Sequence, residues 1–299
     1  MNCKTSPLAV AVVLALSFCA STASAQSQAE SQTQKTLDTL IVTGTRMADR
    51  TVAESASPID IISPQALEST GTTELATALS RAVPSLNFPR PAISDGSDAV
   101  RPAQLRGLSP DQVLVLVNGK RYHSTALINL NDPQGRGSSP ADLNTIPIAA
   151  VERIEVLRDG ASAQYGSDAI AGVINVVLKG SGEGGSINGR YGKYSAGDGE
   201  QYQVSGDAGL SFAGTGKVHL AAQAGHSDQT NRALPFQGRV EQRYGDPDID
   251  QGALSFNGEY SPTDYLTFYS FGMVSRREVL SNGYFRFAGD NRNRPEIYP

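Results

Sequence analysis

The residues after position 186 alternate between apolar and polar side chains in several runs, and this pattern constrains the fold most strongly. From Gln201 to Phe212 the even positions are apolar or small and the odd positions are polar or small. A period of two residues is that of a β-strand with two unlike faces. The sequence predicts five strands, near 187–194, 201–212, 217–226, 250–260 and 265–277.

Two kinds of β-protein fit such alternation. Runs of this length approach the roughly 9–11 residues of a tilted membrane-spanning strand, and an apolar-out, polar-in alternation with aromatic ends is typical of an outer-membrane barrel. A soluble β-sandwich with one solvated face has the same period. Alternation alone favours neither reading.

The amino terminus is typical of an export signal. Lys4 supplies a positive charge, Leu8–Ala20 is apolar, and Ala23-Ser24-Ala25 is a cleavage motif, so residues 1–25 are predicted to be a signal peptide. Both cysteines, Cys3 and Cys19, lie within it, so we expect no disulfide and no cysteine metal site in the mature chain. Residues 26–36, rich in Gln and Ser, are predicted to be a disordered tether.

Residues 53–179 mix strand and helix signals and predict a small α+β globule. Pro58–Ile62 reads as a strand, and Ser63-Pro64 as a helix cap followed by proline. Asn118-Gly119 supplies a two-residue hairpin turn. The remaining predicted elements are a helix at 73–83, the hairpin strands 113–117 and 120–122, a short helix starting at Thr145, and strands at 154–157 and 173–178.

Three stretches carry a resemblance to a known family. Residues 38–44 read DTLIVTG, residues 105–119 contain LRGL and DQVLVLVNG, and residues 151–175 contain VERIEVLR, YG and AIAGVIN. They resemble the TonB box, the central hairpin and the carboxy-terminal signature of the plug domain of TonB-dependent outer-membrane receptors. The resemblance covers about residues 38–179. Asp159, where the family usually has Gly, and Val177-Leu178-Lys179 depart from its pattern.

The resemblance implies a fold and a function. We expect a TonB box at 37–45, a plug domain at 53–179, and, at 186–299, the first strands of an antiparallel transmembrane β-barrel that is incomplete in this chain. The implied function is energy-coupled import of a scarce ligand across the outer membrane of a Gram-negative bacterium. The implied partners are TonB with its inner-membrane energising complex, the ligand and the outer membrane. The residues do not choose among siderophore, cobalamin, oligosaccharide and metal chelate.

The resemblance also places candidate site residues. A tethered extended segment binds a partner by adding a strand to its sheet, which assigns TonB binding to Asp38, Thr39, Leu40, Ile41, Val42 and Thr43. Ligand contacts are expected in or beside the loops at 88–100 and 123–137, from Arg90, Arg101, Tyr122, His123 and Arg136. The structural signature of the plug comprises Arg106, Gly107, Asn118, Gly119, Glu152, Arg153, Glu155, Arg158, Gly160, Tyr165, Gly166, Gly172 and Asn175. The charges in 152–158 read as ion pairs that dock the plug rather than as an acid–base site.

Other functions find little support. The net charge of −5 and the lack of a long basic cluster argue against nucleic-acid binding. Gly180–Gly185 matches a dinucleotide-binding glycine pattern, but a strand follows where that reading needs a helix. His123, His219 and His226 lack paired ligand spacing, so we expect no metal, no cofactor and no enzyme activity. A secreted soluble β-rich binding or adhesion protein, and an exported hydrolase, are the alternatives.

Overall fold

The computed structural model describes Thr43 and residues 57–72, 74–92, 96–130, 135–235, 238, 242–283 and 289. The chain divides into two compact units, 1–39 and 40–299, and every described residue belongs to the second. The predicted signal peptide, the tether and the TonB-box residues Asp38 to Val42 lie outside the described residues.

The first region contains three short helices and seven strands among its described residues. The helices are α1 (Pro64–Glu68), α2 (Leu75–Ala82) and α3 (Ser162–Tyr165). The strands are β1 (Ile59–Ile62), β2 (Leu86–Asn87), β3 (Gln104–Leu105), β4 (Val113–Val117), β5 (Lys120–Arg121), β6 (Val151–Leu157) and β7 (Gly172–Leu178). Five of them form one sheet in the order β1-β6-β7-β4-β5, in which β4 and β7 run parallel. The described part is therefore the α+β globule that the sequence predicts.

Local signals explain several element boundaries. The Ser63 side chain accepts a hydrogen bond from the Ala66 amide at 3.2 Å, which caps α1. Asn118 and Gly119 have φ angles of 48° and 73°, the left-handed pair that joins β4 to β5.

The short helix expected from Thr145 does not form. Two single 3-10 turns, Leu143–Thr145 and Ile148–Ala150, flank Pro147 instead. Proline has no amide hydrogen and holds the residue before it extended, and Ile146 has a ψ of 119°.

Apolar side chains fill both faces of the five-stranded sheet. The larger cluster packs Leu67, Leu75 and Leu79 of the helices against Ile154 and Ile174 of the strands. A smaller cluster on the other face contains Ile59, Leu114, Leu116, Leu157, Ala161, Ala169 and Val173. Because the central strands are covered on both faces, they read in sequence as continuous apolar runs rather than as alternating ones.

The second region is an open antiparallel sheet. Its strands are β8 (Gly185–Gly192), β9 (Gln201–Phe212), β10 (Gly216–Ser227), β11 (Asp248–Thr263) and β12 (Leu266–Leu280), each paired with its sequence neighbour. The five expected strands are thus confirmed. Among the described residues β8 and β12 are edges and the sheet does not close into a barrel.

The two faces of this sheet differ as the alternation predicts. The apolar set is open, with Tyr202, Val204 and Leu254 each more than half exposed, whereas Gln203 and His219 of the polar set are buried. The globule covers the polar face: Lys179 Nζ lies 2.8 Å from Asp207 Oδ1, and the Ile148 amide donates to Gln223 Oε1 at 3.1 Å. This arrangement favours the membrane-strand reading over the sandwich, because a sandwich core would bury the apolar face. None of the helices in the described part has the length and apolarity to cross a bilayer.

Candidate functional site

Thr43, the last of the residues assigned to TonB binding, is fixed to the globule through a buried carboxylate. Its amide donates to Glu155 Oε2 at 3.0 Å, and its hydroxyl donates to the same oxygen at 2.5 Å. Both residues are fully buried. These bonds join positions 112 residues apart in the sequence and connect Thr43 to β6.

The Glu155 carboxylate is tolerated in the interior because each oxygen has a partner. Arg153 Nε lies 3.0 Å from Glu155 Oε1, while Arg153 Nη1 lies 3.0 Å from Glu152 Oε1. Charge-assisted hydrogen bonds of this kind offset the cost of removing a carboxylate from water. The buried Glu155 carboxylate therefore accepts two hydrogen bonds from Thr43 and one from Arg153.

The other signature charges also pair within the globule. Arg158 Nε lies 2.8 Å from Asp60 Oδ2 on β1, and Arg106 Nη1 lies 3.5 Å from Asp159 Oδ1. We expected the charges in 152–158 to dock the globule on the strands. Among the described contacts they hold the globule together, and docking uses other residues, such as Lys179 with Asp207.

Asp159, which departs from the family pattern, has a local role. Its carboxylate accepts from the Gly160 amide at 2.8 Å in addition to facing Arg106. The side chain therefore caps the turn that follows β6.

Two signature asparagines close the hairpin against the centre of the sheet. Asn118 Oδ1 accepts from the Leu178 amide at 2.9 Å, and Asn175 Oδ1 accepts from the Gly119 amide at 3.0 Å. Asn118 Nδ2 also donates to Asn257 Oδ1 on β11 at 3.3 Å, so the hairpin contacts the second region.

Most of the remaining signature positions are glycines that lie in turns or where another backbone segment passes too close for a side chain. Gly172 has a φ of 148°, and a Cβ there would collide with the Leu157 carbonyl oxygen and the Leu105 side chain, so only glycine fits. Gly107 and Gly166 have positive φ angles, a Cβ at Gly160 would approach the Ile170 carbonyl oxygen, and Tyr165 packs on the smaller core.

Arg90 and Arg101, two of the five predicted ligand contacts, meet beside two carboxylates. Arg90 Nη2 lies 3.3 Å from Glu74 Oε2 and 3.0 Å from Asp246 Oδ1. Arg101 lies deeper, with 1% of its side chain exposed, and is 3.6 Å from each of these carboxylates. Asp246 belongs to the connection between β10 and β11, so both regions contribute to the group.

The charged groups of this cluster shift one another's pKa values. Burial alone would raise the pKa of Glu74, but the guanidinium groups of Arg101 and Arg90 outweigh it and hold that pKa below its ordinary value. Burial lowers the pKa of Arg101. For Arg90, burial opposes the charged form, yet Glu74 and Asp246 raise its pKa. Glu74 is therefore ionised at neutral pH and sits within a field of positive charge.

These residues line a cavity of about 120 Å³, which we call the arginine cavity. Its charged lining residues are Glu74, Arg81, Arg90, Arg101, His226, Asp228, Asp246 and Arg277. The lining also includes Tyr194 and Tyr202, at the end of the sheet opposite the linker 179–184. A polar cavity of this composition suits an anionic or hydrogen-bonding group rather than an apolar one.

The other three predicted ligand contacts do not line the arginine cavity. The Tyr122 hydroxyl lies 2.8 Å from Thr145 Oγ1, and burial raises its pKa. His123 is exposed with its ring centroid 4.3 Å from that of Tyr122. Arg136 is exposed. The structure thus brings together two of the five candidates.

Sequence reasoning missed Glu74, Asp246 and Arg277, because no local pattern marks them. It also missed a group where β10 ends and β11 begins, two members of which, His226 and Asp228, line the arginine cavity. Potential ligand atoms of His226, Asp228 and Asp248 lie within 4.8 Å of one another. Both ring nitrogens of His226 already lie 2.9 Å from carboxylates, those of Asp228 and Asp250. Strand register, which places His226 opposite Asp250, creates this group.

The chain matches one protein-family model and several curated proteins. Residues 51–173 match the model described as the TonB-dependent receptor plug domain. The chain is 33% identical over 195 residues to the vitamin B12 transporter BtuB of Vibrio vulnificus, an alignment that covers 65% of this chain and 29% of that protein. It is 35% identical over 176 residues to an iron-regulated outer membrane virulence protein of Vibrio cholerae, covering 58% of this chain and 24% of that protein. The chain therefore spans less than a third of the length of these relatives.

Solved structures share the fold. The siderophore receptor PirA from Acinetobacter baumannii superposes with a TM-score of 0.60 at 20% identity, covering 78% of this chain and 33% of that one. A ferric enterobactin receptor from Pseudomonas aeruginosa superposes with a TM-score of 0.59 at 22% identity, covering 75% of this chain and 34% of that one. At such identity the likeness concerns the arrangement of globule and strands.

Proposed function

We propose that this chain, which carries the plug domain of TonB-dependent receptors followed by antiparallel strands arranged as in solved receptors, works in energy-coupled import of a scarce ligand. The site of action is the outer membrane of a Gram-negative bacterium, and TonB with its energising complex is the partner. The open apolar face of the second region contacts lipid, and the plug lies on the polar face.

One observation carries the proposal: the bond between Thr43 and the buried Glu155. In a receptor driven by TonB, force enters at the segment 38–43 and has to reach the plug. Thr43 makes two hydrogen bonds to the Glu155 carboxylate on β6, one from its main chain and one from its side chain. These bonds transmit the force directly to β6. Because β6 lies next to β7 inside the sheet, displacement there disturbs the plug rather than a surface loop.

The contact between plug and sheet supports movement. It contains ion pairs and hydrogen bonds, among them Arg277 Nη1 to Asp142 Oδ2 at 3.0 Å and Lys179 Nζ to Asp207 Oδ1 at 2.8 Å. Water can replace such bonds when the surfaces separate, whereas exposing a large apolar interface would cost about 25 cal/mol per Å². The apolar part of the contact comprises Ala221, Phe271 and Met273 of the sheet, which pack against the larger cluster of the plug. Movement of the plug therefore exposes these few apolar contacts rather than a complete core.

The ligand enters from the end that bears the long connections. The linker 179–184 and the tight connections 213–215 and 264–265 lie at one end of the sheet, and 193–200 and 228–247 lie at the other. The arginine cavity opens at the second end, beside Tyr194 and Asp246. Arg90 and Arg101 thus supply ligand contacts on the side opposite the linker. Siderophore, cobalamin, oligosaccharide and metal chelate all stay open as the cargo.

The proposal is tested by Ile41→Pro in the complete gene product that contains this chain. Proline removes a main-chain donor from a segment that binds by strand addition. We expect uptake to be abolished while ligand binding at the cell surface is unchanged, measured with radiolabelled ligand on whole cells.

Ile41→Val is the matched control, because it keeps the main-chain donor and the β-branched side chain, and we expect normal uptake from it. Normal uptake by the proline variant would refute the assignment of TonB binding. Recovery of the complete gene product in the soluble periplasm would refute the receptor and favour a secreted binding protein.

A further inference from the structure

We propose that the arginine cavity is a subsite for one oxyanion group, a carboxylate or phosphate, which binds between Arg90 and Arg101 in the place that the Asp246 carboxylate now takes. The inference rests on the proposed import function and names the chemical class of one group on the cargo. It assigns a role to Asp246 that neither the plug signature nor the strand pattern indicates.

The first support is that the guanidinium group of the buried Arg101 has donors without a close hydrogen-bond acceptor. Its Nη1 donates to the main-chain oxygens of Asp98 at 2.5 Å and Val100 at 3.1 Å, which fixes the guanidinium plane. Its Nε is buried without a hydrogen-bond partner, since the ion-pair contact with Glu74 Oε1 is 3.6 Å long. Its Nη2 lies 3.6 Å from Asp246 Oδ1. Nε and Nη2 form the edge with which arginine binds an oxyanion through two parallel hydrogen bonds.

The second support comes from a second guanidinium group with an unused donor. Arg277 lines the same cavity, and its Nη1 donates to the Ala99 oxygen at 2.6 Å and to Asp142 at 3.0 Å. Its Nε is also buried without a hydrogen-bond partner. Buried donors without partners are rare, because each one forfeits about 1–3 kcal/mol. Both donors belong to residues that line one cavity, and they point to an acceptor that reaches them when the Asp246 carboxylate is displaced.

Charge favours an anion as that acceptor. The lining contains four arginines, Arg81, Arg90, Arg101 and Arg277, against three carboxylates, Glu74, Asp228 and Asp246. Arg81 is engaged with the main-chain oxygen of Thr70 at 2.6 Å and remains positively charged. Because Asp142 pairs with Arg277, four carboxylates match the four arginines, and an incoming anion replaces the Asp246 carboxylate and meets donors that are already fixed in place.

The Asp246 carboxylate lies where such an anion would bind, but it does not use all the hydrogen-bond donors of Arg90 and Arg101. Its Oδ1 faces both Arg90 Nη2 at 3.0 Å and Arg101 Nη2 at 3.6 Å, so one oxygen is shared between two cations. Its main chain is held by the buried Thr230, whose hydroxyl oxygen lies 2.8 Å from the Asp246 amide nitrogen. The carboxylate is tethered too far from Arg101 to make the two parallel bonds. A free oxyanion is not tethered, so it competes favourably for the same donors.

The size of the cavity limits what it holds. Pockets for complete small-molecule ligands occupy roughly 300–1,000 Å³, whereas the arginine cavity is about 120 Å³. It admits one carboxylate or phosphate group and leaves the remainder of a cargo molecule outside. The subsite is therefore selective for the charged end of a ligand and offers little to a neutral sugar.

The test measures binding of inorganic phosphate, acetate and glucose to the complete gene product in detergent, by titration calorimetry. We expect phosphate and acetate to bind and glucose to give no signal. Asp246→Asn removes the competing charge and is expected to tighten phosphate binding about three- to tenfold. Arg90→Gln, at a half-exposed position that tolerates replacement, is expected to weaken it by about tenfold, because charge-assisted hydrogen bonds are lost.

Asp198→Asn is the matched control. Asp198 also lies at the far end of the sheet and pairs with Arg232, but neither residue lines the cavity. Its replacement should leave phosphate affinity within about twofold of the unmodified protein, as surface pairs contribute little. Equal phosphate affinity in the unmodified, Asp246→Asn and Arg90→Gln proteins would overturn the proposal, as would tightening by Asp198→Asn equal to that by Asp246→Asn.

Uptake assays separate this proposal from the function on which it rests. If Arg90→Gln loses phosphate binding while cargo uptake continues at the normal rate, the oxyanion subsite is refuted as part of the import site and the receptor function stands. If no variant, nor the unmodified protein, imports any ligand under TonB control, the receptor function fails even where phosphate binds.

Discussion

The plug and the sheet that covers it place their apolar residues in opposite positions. In the plug, Leu105, Ile154 and Ile174 are fully buried and the charged residues lie mostly at the surface. In the sheet, Leu254 and Val274 are 58% and 64% exposed, while Gln203 and His219 of the polar face are buried. The plug buries its apolar side chains away from solvent, whereas the described sheet leaves one apolar face open.

The difference shows how two regions can pack together without forming one shared hydrophobic core. The same hydrophobic effect closes the plug around its own core and, in the proposed membrane setting, turns the apolar face of the sheet toward lipid. The surface between them combines polar side chains, including Gln223, Asn257 and Arg277, with apolar contacts from Ala221, Phe271 and Met273. An interface rich in polar contacts is specific in geometry, and it suits the plug movement proposed above.

The largest effect is expected from a charge in the plug core. Ile174→Asp places a carboxylate in a fully buried position on β7, among the apolar side chains of the larger cluster. We expect at least about 4 kcal/mol of destabilisation, enough to unfold the plug. The urea midpoint of protease resistance in the complete gene product measures it. A loss under about 1 kcal/mol would contradict the described core.

A smaller effect is expected from a charge on the open face of the sheet. Leu254→Arg should cost about 2–4 kcal/mol when the protein folds into lipid bilayers, because an arginine at mid-depth faces hydrocarbon. Tyr260→Arg, near the end of the same strand, is the control and should cost about 0–1 kcal/mol. Urea titration of folding into vesicles gives both values. A cost within about 0.5 kcal/mol for Leu254→Arg would indicate a solvated face instead.

The smallest effect concerns the buried charges at the boundary between the two regions. The pKa of Glu74 is lowered in the folded chain, chiefly because Arg101 and Arg90 outweigh its burial. The unfolded chain then takes up the proton first. The stabilising contribution is therefore complete above about pH 4.5, the ordinary value, and is lost as pH falls through the lowered pKa.

Glu74→Gln isolates this contribution. We expect the difference in unfolding free energy between the unmodified protein and Glu74→Gln to be constant from pH 6 to 7 and to shrink below about pH 4.5. Urea unfolding of the plug across that range measures it. A difference that grows on acidification would show that the sign of the pKa shift is wrong.

Local chemistry allowed much of the fold to be predicted. Ser63 before Pro64, and Asn118 before Gly119, each act on neighbours within three residues, and both were read correctly. The five strands were found because alternation is a local property. The helix expected at Thr145 was wrong because Pro147 interrupts it, and the preceding residue is held extended.

The candidate site was predictable only in part. Arg90 and Arg101 were chosen for charge and for position in or beside a loop, and the structure places both in one cavity. Tyr122, His123 and Arg136 had the same character and lie elsewhere. The partners Glu74 and Asp246 carried no signal, because Arg90 and Asp246 are 156 residues apart in the sequence and meet only through folding.

The sequence by itself determined the class of two segments: a plug signature, and strands with one apolar and one polar face. These follow from side-chain period and turn chemistry, which act over a few residues. Only the tertiary structure decided which groups meet: Thr43 with Glu155 across 112 residues, His226 opposite Asp250, and two arginines around one carboxylate. Strand register and the packing of plug on sheet set those contacts, and neither is encoded within any short stretch of chain.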